Sequence, residues 1–222
     1  PEVNVITVED PVEYRLPGIN QVQTNNKAGL TFASALRSIL RSDPDIVLIG
    51  EIRDHETGQI AVEAALTGHL VLSTLHTNDA PSAVSRLTEM GIEPFLVGSA
   101  LDAVLAQRLA RRLCSKCKEA YTPTADALVT ARFPWDDGEP LPELFRPVGC
   151  SACSKTGYKG RLALHEVMVV SEEIERLAVE KASATVIENV AREQGMKTLR
   201  EDGLAKVLKG VTSMDEILRV VV

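Results

Sequence analysis

Short apolar, β-branched runs alternate with stretches whose apolar residues recur at helical spacing through the first half of the chain. Val5-Ile6-Thr7-Val8 predicts a first strand. Phe32, Ala35, Leu36, Ile39 and Leu40 follow Thr31 at core-facing intervals, which predicts a helix capped by Thr31 and reaching about Ser42. Asp43-Pro44-Asp45 ends it, because a residue before proline avoids helical angles. Ile46-Val47-Leu48-Ile49 is apolar throughout, as expected of a strand buried on both faces. Glu56–Leu66 predicts a second helix with Ile60, Ala61, Ala64 and Ala65 as its stripe, stopped by Gly68, and Leu70–Leu75 predicts another buried strand. Asn78 or Asp79 with Pro81, and then Glu93-Pro94, read as the starts of two more helices, the second opening the long stretch Phe95–Leu113. Alternating units of this kind predict an α/β fold with a parallel sheet.

The periodicity breaks at Cys114. Residues 114–160 hold all four cysteines, Pro123, Pro134, Pro140, Pro142, Pro147 and the lone tryptophan, Trp135, which marks a small inserted module. A strand pattern returns over Leu162–Val170, and the remainder reads as three short amphipathic helices, the last opened by Thr212-Ser213. Three segments are therefore expected: a core over 1–113, a cysteine insert over 114–160, and a C-terminal strand and helical subdomain over 161–222.

Composition changes this picture little. Apolar residues make up 45% and charged residues 25%, ordinary for a globular chain, and no apolar run approaches the roughly 20 residues of a membrane helix. Pro1-Glu2-Val3 stands directly before a buried strand pattern, so the chain reads as a piece of a longer protein. A net charge of −7 argues against a phosphate-backbone footprint. The local cluster Arg108, Arg111, Arg112, Lys116 and Lys118 reads as a solvated helix end followed by a metal loop.

Candidate chemistry gathers at the strand ends. Ile46–Ile49 runs into Gly50-Glu51-Ile52-Arg53-Asp54, and an acidic residue at such a tip can hold magnesium, because ligands collect outside the carboxyl ends of parallel strands. Glu9-Asp10-Pro11-Val12-Glu13 follows the first strand, and its three carboxylates repel one another unless a cation or an attacking water uses them. His69 opens and His76 closes the third apolar run, on opposite faces if that strand is regular. His76-Thr77-Asn78 suits a group that senses a γ-phosphate, whereas His55 and His165 read as structural. Cys114-x-x-Cys117 and Cys150-x-x-Cys153 form two knuckles, together the donor set of a closed structural zinc site.

Taken together, these motifs resemble the ATPase family of type II secretion and type IV pilus assembly. Thr7–Glu13 looks like its Asp box, Asp45–Asp54 like its atypical Walker B segment, and Thr67–Asn78 like its His box, with the Arg37-Ser38-Ile39-Leu40-Arg41 helix between and the cysteine insert after. The resemblance implies a RecA-like P-loop NTPase core that uses ATP and Mg2+, assembles as a homo-hexamer, works in the cytoplasm and meets the inner membrane through a platform protein. It implies that Glu13 activates or orients the attacking water and that Glu51 acts on magnesium and its water shell. His69 and His76 would couple phosphate occupancy to subunit movement, with Glu9, Asp10 and Arg53 beside the nucleotide. Arg37 and Arg41 are expected to face solvent. The tetracysteine insert, expected to bind Zn2+, points to the assembly and secretion branch.

One family feature is missing: no glycine-rich loop ending in Gly-Lys-Ser or Gly-Lys-Thr occurs in the chain, so the phosphates have no cradle. In the family that loop lies upstream of the Asp box. Two other readings are a zinc-stabilised interaction module with a degenerate ATPase core and a RecA-like nucleic-acid motor. The intact Glu13, Glu51, His69 and His76 count against the first. The acidic balance and the 4% of aromatic residues count against the second.

Overall fold

The computed structural model describes residues 3–221. In chain order it forms β1 (Val5–Glu9), β2 (Asn20–Gln23), α1 (Phe32–Ile39), β3 (Ile46–Ile49), α2 (His55–Leu66), β4 (Leu70–Ser73), α3 (Ser82–Glu89) and α4 (Pro94–Ala100). Then follow β5 (Ala103–Leu113), β6 (Glu119–Tyr121), α5 (Ala125–Thr130), β7 (Leu144–Arg146) and β8 (Tyr158–Val169). Helices α6 (Glu172–Val179), α7 (Ala184–Glu193), α8 (Leu199–Leu208) and α9 (Met214–Val220) complete the order. Two compact units emerge: the stretch up to Val104 with Val169–Ala191, and Leu105–Met168 with the residues from Arg192 onward. The segments 1–113, 114–160 and 161–222 follow composition, whereas these units follow packing, and their boundaries differ.

The first unit is built on a parallel sheet of order β2-β1-β3-β4. Val5 pairs with Ile46 and Ile46 with Leu70, so Ile6, Val8, Val47 and Ile49 share one face. That face packs on Ala35, Leu36 and Ile39 of α1 and Ala61 of α2. Thr31 starts α1 through a capping box with Ser34, and Asp54 caps α2 through the Thr57 amide. Contrary to the sequence expectation, β3 and β4 are not buried on both faces. Ile46 and Leu48 are half-buried, and Leu70 and Leu72 are 49% and 46% exposed, because no described element covers the second face.

Three further expectations change. Phe95–Leu113 is not one helical stretch: α4 ends at Ala100 and β5 follows. Ala106, Ala110 and Leu113 mimic helical spacing, but pairing with β8 overrides it. Amide bonds from Val170 to Asp102 and from Cys114 to Gly157 at the two ends make this ribbon antiparallel. Four helices, not three, follow β8. Strand β2 was not foreseen, since Asn20-Gln21-Val22-Gln23 has a single apolar residue and reads as loop.

In the second unit Leu164, Met168, Leu204, Val207 and Ile217 are buried, and in the insert Leu128, Ala131, Phe133 and Leu144 are buried. Arg111 lies on β5, not at a solvated helix end. Its backbone amide and its guanidinium both donate to Glu216 of α9, at 2.8 Å and 2.6–2.9 Å, and the guanidinium stacks 4.1 Å from the Tyr158 ring centre. Lys118 donates to the Gly210 carbonyl at 2.7 Å and sits over Phe145.

The Glu216 side chain is fully buried. Burial opposes its charge, but bonds from Arg219 and Arg111 outweigh that and lower its pKa to about 2. A carboxylate whose folded pKa lies below its ordinary value of 4.5 stabilises fully above that value. The contribution disappears as pH falls toward 2. Glu216→Ala is expected to destabilise the unit by about 3 kcal/mol at neutral pH, since it removes the acceptor of the Arg111 amide and of both guanidinium groups at once and empties a fully buried side-chain position. The difference from wild type should shrink between pH 4.5 and 2 in thermal melts; a constant gap would assign the effect to packing.

Candidate functional site

The carboxyl ends of β1, β3 and β4 lie side by side because the strands are parallel and in register. The Gly50 amide donates to the Val8 carbonyl at 2.8 Å, and a Cβ on Gly50 would stand 3.3 Å from that oxygen, so a side chain there would crowd β1. Just beyond, the Ile52 amide donates to the Thr74 carbonyl at 3.0 Å and the Thr74 hydroxyl to the Gly50 carbonyl at 2.7 Å. These bonds knit the tips of β3 and β4 and bring His76 to Glu51, with Nε2 3.3 Å from Oε2. Arg53 forms a tight ion pair with the other Glu51 oxygen. The Arg53 bond, with a smaller part from His76, holds the Glu51 carboxyl below its usual range despite burial. Glu51 is therefore an anion with a fixed orientation.

Glu9 ends β1 on the open face of the sheet. Its Oε1 accepts from the Thr7 hydroxyl at 2.5 Å and from Gln21 Nε2 at 3.0 Å. The loop after it carries Asp10 and Glu13, both exposed. Glu9, Asp10, Glu13 and Glu51 line one cleft of about 620 Å³, floored by Ile46, Leu48 and Leu72. The cleft sets carboxylates beside an apolar floor, but among the described residues it is the four cysteines, not these carboxylates, whose donor atoms converge closely enough to hold a metal by themselves.

Of the residues expected here, Glu9, Asp10, Glu13 and Glu51 come together, with Arg53 and His76 joined to them through Glu51. His69 does not. It precedes β4, at the opposite end of a strand about 13 Å long, and its Nδ1 lies 2.9 Å from the Ala64 carbonyl and 3.2 Å from the Thr67 hydroxyl at the end of α2. Gln21 was missed. The available signal was the pair Gln21 and Gln23, two apart as on one strand face, directly after an acidic loop.

A second cluster belongs to the other unit. All four cysteines are free, and their sulfurs lie within 4.8 Å of one another. Cys114 to Cys150 is 3.9 Å, while Cys117 to Cys153 and Cys150 to Cys153 are 3.8 Å. A disulfide would need about 2.05 Å. A zinc ion with bonds of about 2.3 Å gives a tetrahedron of edge about 3.8 Å. Amides of Gly149, Cys150 and Gly157 donate to the sulfurs of Cys117 and Cys153 at 3.2–3.3 Å. The Cys150 and Gly157 amides draw the Cys153 thiol down to about 6 against burial, and burial pushes the Cys117 thiol up to about 11. The donor set and its size fit a Cys₄ metal site.

Residues 1–219 match the family model described as Type II/IV secretion system protein. The chain is 55% identical over 219 residues to the Type IV pilus assembly ATPase PilB of Thermus thermophilus, covering 98% of this chain and 24% of that protein. It is 50% identical over 219 residues to the Type II secretion system ATPase E of Vibrio cholerae, covering 99% of this chain and 43% of that protein. It thus spans less than half the length of these relatives. Among solved structures, the pilus retraction motor PilT with bound ADP superposes with a TM-score of 0.68 at 24% identity, over 98% of this chain and 52% of that one, a likeness of fold. With a family match over almost its whole length and relatives at half identity or better, the chain belongs to the Type II/IV secretion system protein family.

Proposed function

We propose that this chain is the catalytic C-terminal part of a hexameric motor that hydrolyses ATP to drive type IV pilus assembly or type II protein secretion. The observation that carries the reading is the acidic cleft at the strand ends, with Glu51 fixed between Arg53 and His76, in a chain half identical to proteins named as ATPases of these machines. In this role Glu13 orients the attacking water. Glu51, with Glu9 and Asp10, holds magnesium and its water shell, and Arg53 keeps the Glu51 carboxylate aimed. His76, in contact with Glu51, passes the state of the site to β4, and His69 sets the start of β4 from the end of α2. Magnesium would supply charge neutralisation for the phosphates and nothing that the carboxylates could provide alone.

The phosphate cradle would come from outside this chain. Support for that lies in the two sheet edges, which differ in chemistry. Edge strand β2 is polar, as an edge left in water should be, whereas β4 offers Leu70, Val71 and Leu72 along an unpaired edge and an open face. A further strand and helix from the longer protein would cover both. Zinc in the four-cysteine cluster would be structural, since four thiolates leave no open position. No helix among the described residues is long and apolar enough to cross a membrane, and contact with the inner membrane would run through a platform protein.

The longer protein is expected to show magnesium-dependent ATP turnover and this 222-residue chain to remain at background. A colorimetric phosphate-release assay on both checks it. Magnesium-dependent turnover by the chain alone would refute placing the cradle outside it.

A further inference from the structure

The loop that carries Glu13 is exposed, yet a water-orienting carboxylate has to stand still. Resting on the function proposed above, we infer that Gln21 is the positioning residue that fastens this loop. Its carboxamide makes three bonds to three points of the loop and its root. Nε2 donates to Glu9 Oε1 at 3.0 Å and to the Tyr14 carbonyl at 2.9 Å, and Oε1 accepts from the Leu16 amide at 2.7 Å. The backbone partners decide the orientation of the amide, because Leu16 N–H can only donate and Tyr14 C=O can only accept. A side-chain amide is the smallest group that satisfies all three. A carboxylate in its place would set acceptor against acceptor at Glu9 and Tyr14, and an apolar isostere would leave all three partners unmade.

The geometry that permits this comes from the sheet. Register pairs Thr7 with Gln21 and Glu9 with Gln23, so both glutamines point to the open face that carries the cleft. Gln23 adds a weaker clasp, its Oε1 accepting from the Val12 amide at 3.2 Å. Glu13 thus sits between a hold at residue 12 and holds at residues 14 and 16. The unforeseen strand β2 is the frame of the acidic loop, and Gln21 is its main fastener.

The test compares Gln21→Met and Glu13→Gln with the wild type in the longer ATPase, by turnover and by amide exchange. For Gln21→Met, kcat should fall about 10- to 100-fold with the KM for ATP changed less than about threefold, and the Leu16 amide should exchange at least about tenfold faster while the β3 amides keep their protection. A purely structural role would move KM, melting temperature and β3 protection together. Wild-type kcat for Gln21→Met in a protein that Glu13→Gln inactivates would overturn the assignment of Gln21. So would unchanged exchange at Leu16. Full activity of Glu13→Gln would overturn the reading of the acidic loop itself and the inference with it.

Discussion

A strong chelator, by removing the zinc proposed for the four-cysteine cluster, is expected to lower the melting temperature of the unit that carries it by about 10 °C or more. The expectation follows from what else holds the insert. Few large apolar side chains of the insert are buried, Leu128, Phe133 and Leu144 among them, and the knuckles lean on close backbone contacts. Gly157 passes so close to Pro147 that a Cβ would fall 2.4 Å from the proline ring, while its amide serves Cys153 and its carbonyl serves Cys114. Without a dication the sulfurs of Cys114 and Cys153, both buried, stay crowded against the other two with nothing to neutralise thiolate charge gathered there. Structural zinc sites of this kind contribute roughly 10–16 kcal/mol of apparent binding energy, so even a partial loss exceeds what these few side chains offset. Cys153→Ser should copy chelation in part. Metal content per chain and thermal unfolding followed by the emission of the lone Trp135 are the measurements. Identical melts with and without chelator would show that the cysteines are not a structural site.

The second large effect is expected at Glu13. In the longer protein, Glu13→Gln should lower kcat by about 10²- to 10⁴-fold, equivalent to about 3–5 kcal/mol of transition-state stabilisation, with nucleotide affinity nearly unchanged. The substitution keeps size and shape and removes the negative charge and basicity on which the proposed role of Glu13 depends. Glu51→Gln should give a different signature. Its carboxylate is held ionised by Arg53 and His76, so on the proposed role its loss should remove a fixed charge from beside the cation and raise the magnesium concentration needed for half-maximal rate. Single-turnover hydrolysis across a magnesium titration separates the two. Equal, magnesium-independent losses would mean that Glu13 and Glu51 do not divide the work as assigned.

Much of the fold could be read in the chain because its signals are local. The Thr31 cap, the stop at Asp43-Pro44 and the apolar run Ile46–Ile49 each depend on neighbours a few residues away. Cys114, Cys117, Cys150 and Cys153 were legible as one metal set because two knuckles of fixed spacing carry the geometry within themselves. Elements that depend on distant partners read wrongly or not at all. Strand β5 wears a helical pattern, and only β8, far along the chain, turns it into a ribbon. Strand β2 has almost no apolar signal, and it forms because β1 pairs with its backbone and the acidic loop gives Gln21 and Gln23 partners.

The sequence by itself determined the α/β alternation, the acidic and histidine motifs and the cysteine set, since residue type and spacing suffice for chemistry that acts over a few residues. Tertiary structure alone decided which of those groups meet. Parallel register put the ends of β1, β3 and β4 together, joining Glu51 to His76 across 3.3 Å while leaving His69 at the far end of the same strand. It also decided that one face of the sheet and its apolar edge at β4 stay open, because covering an apolar surface requires an element that the described residues do not supply.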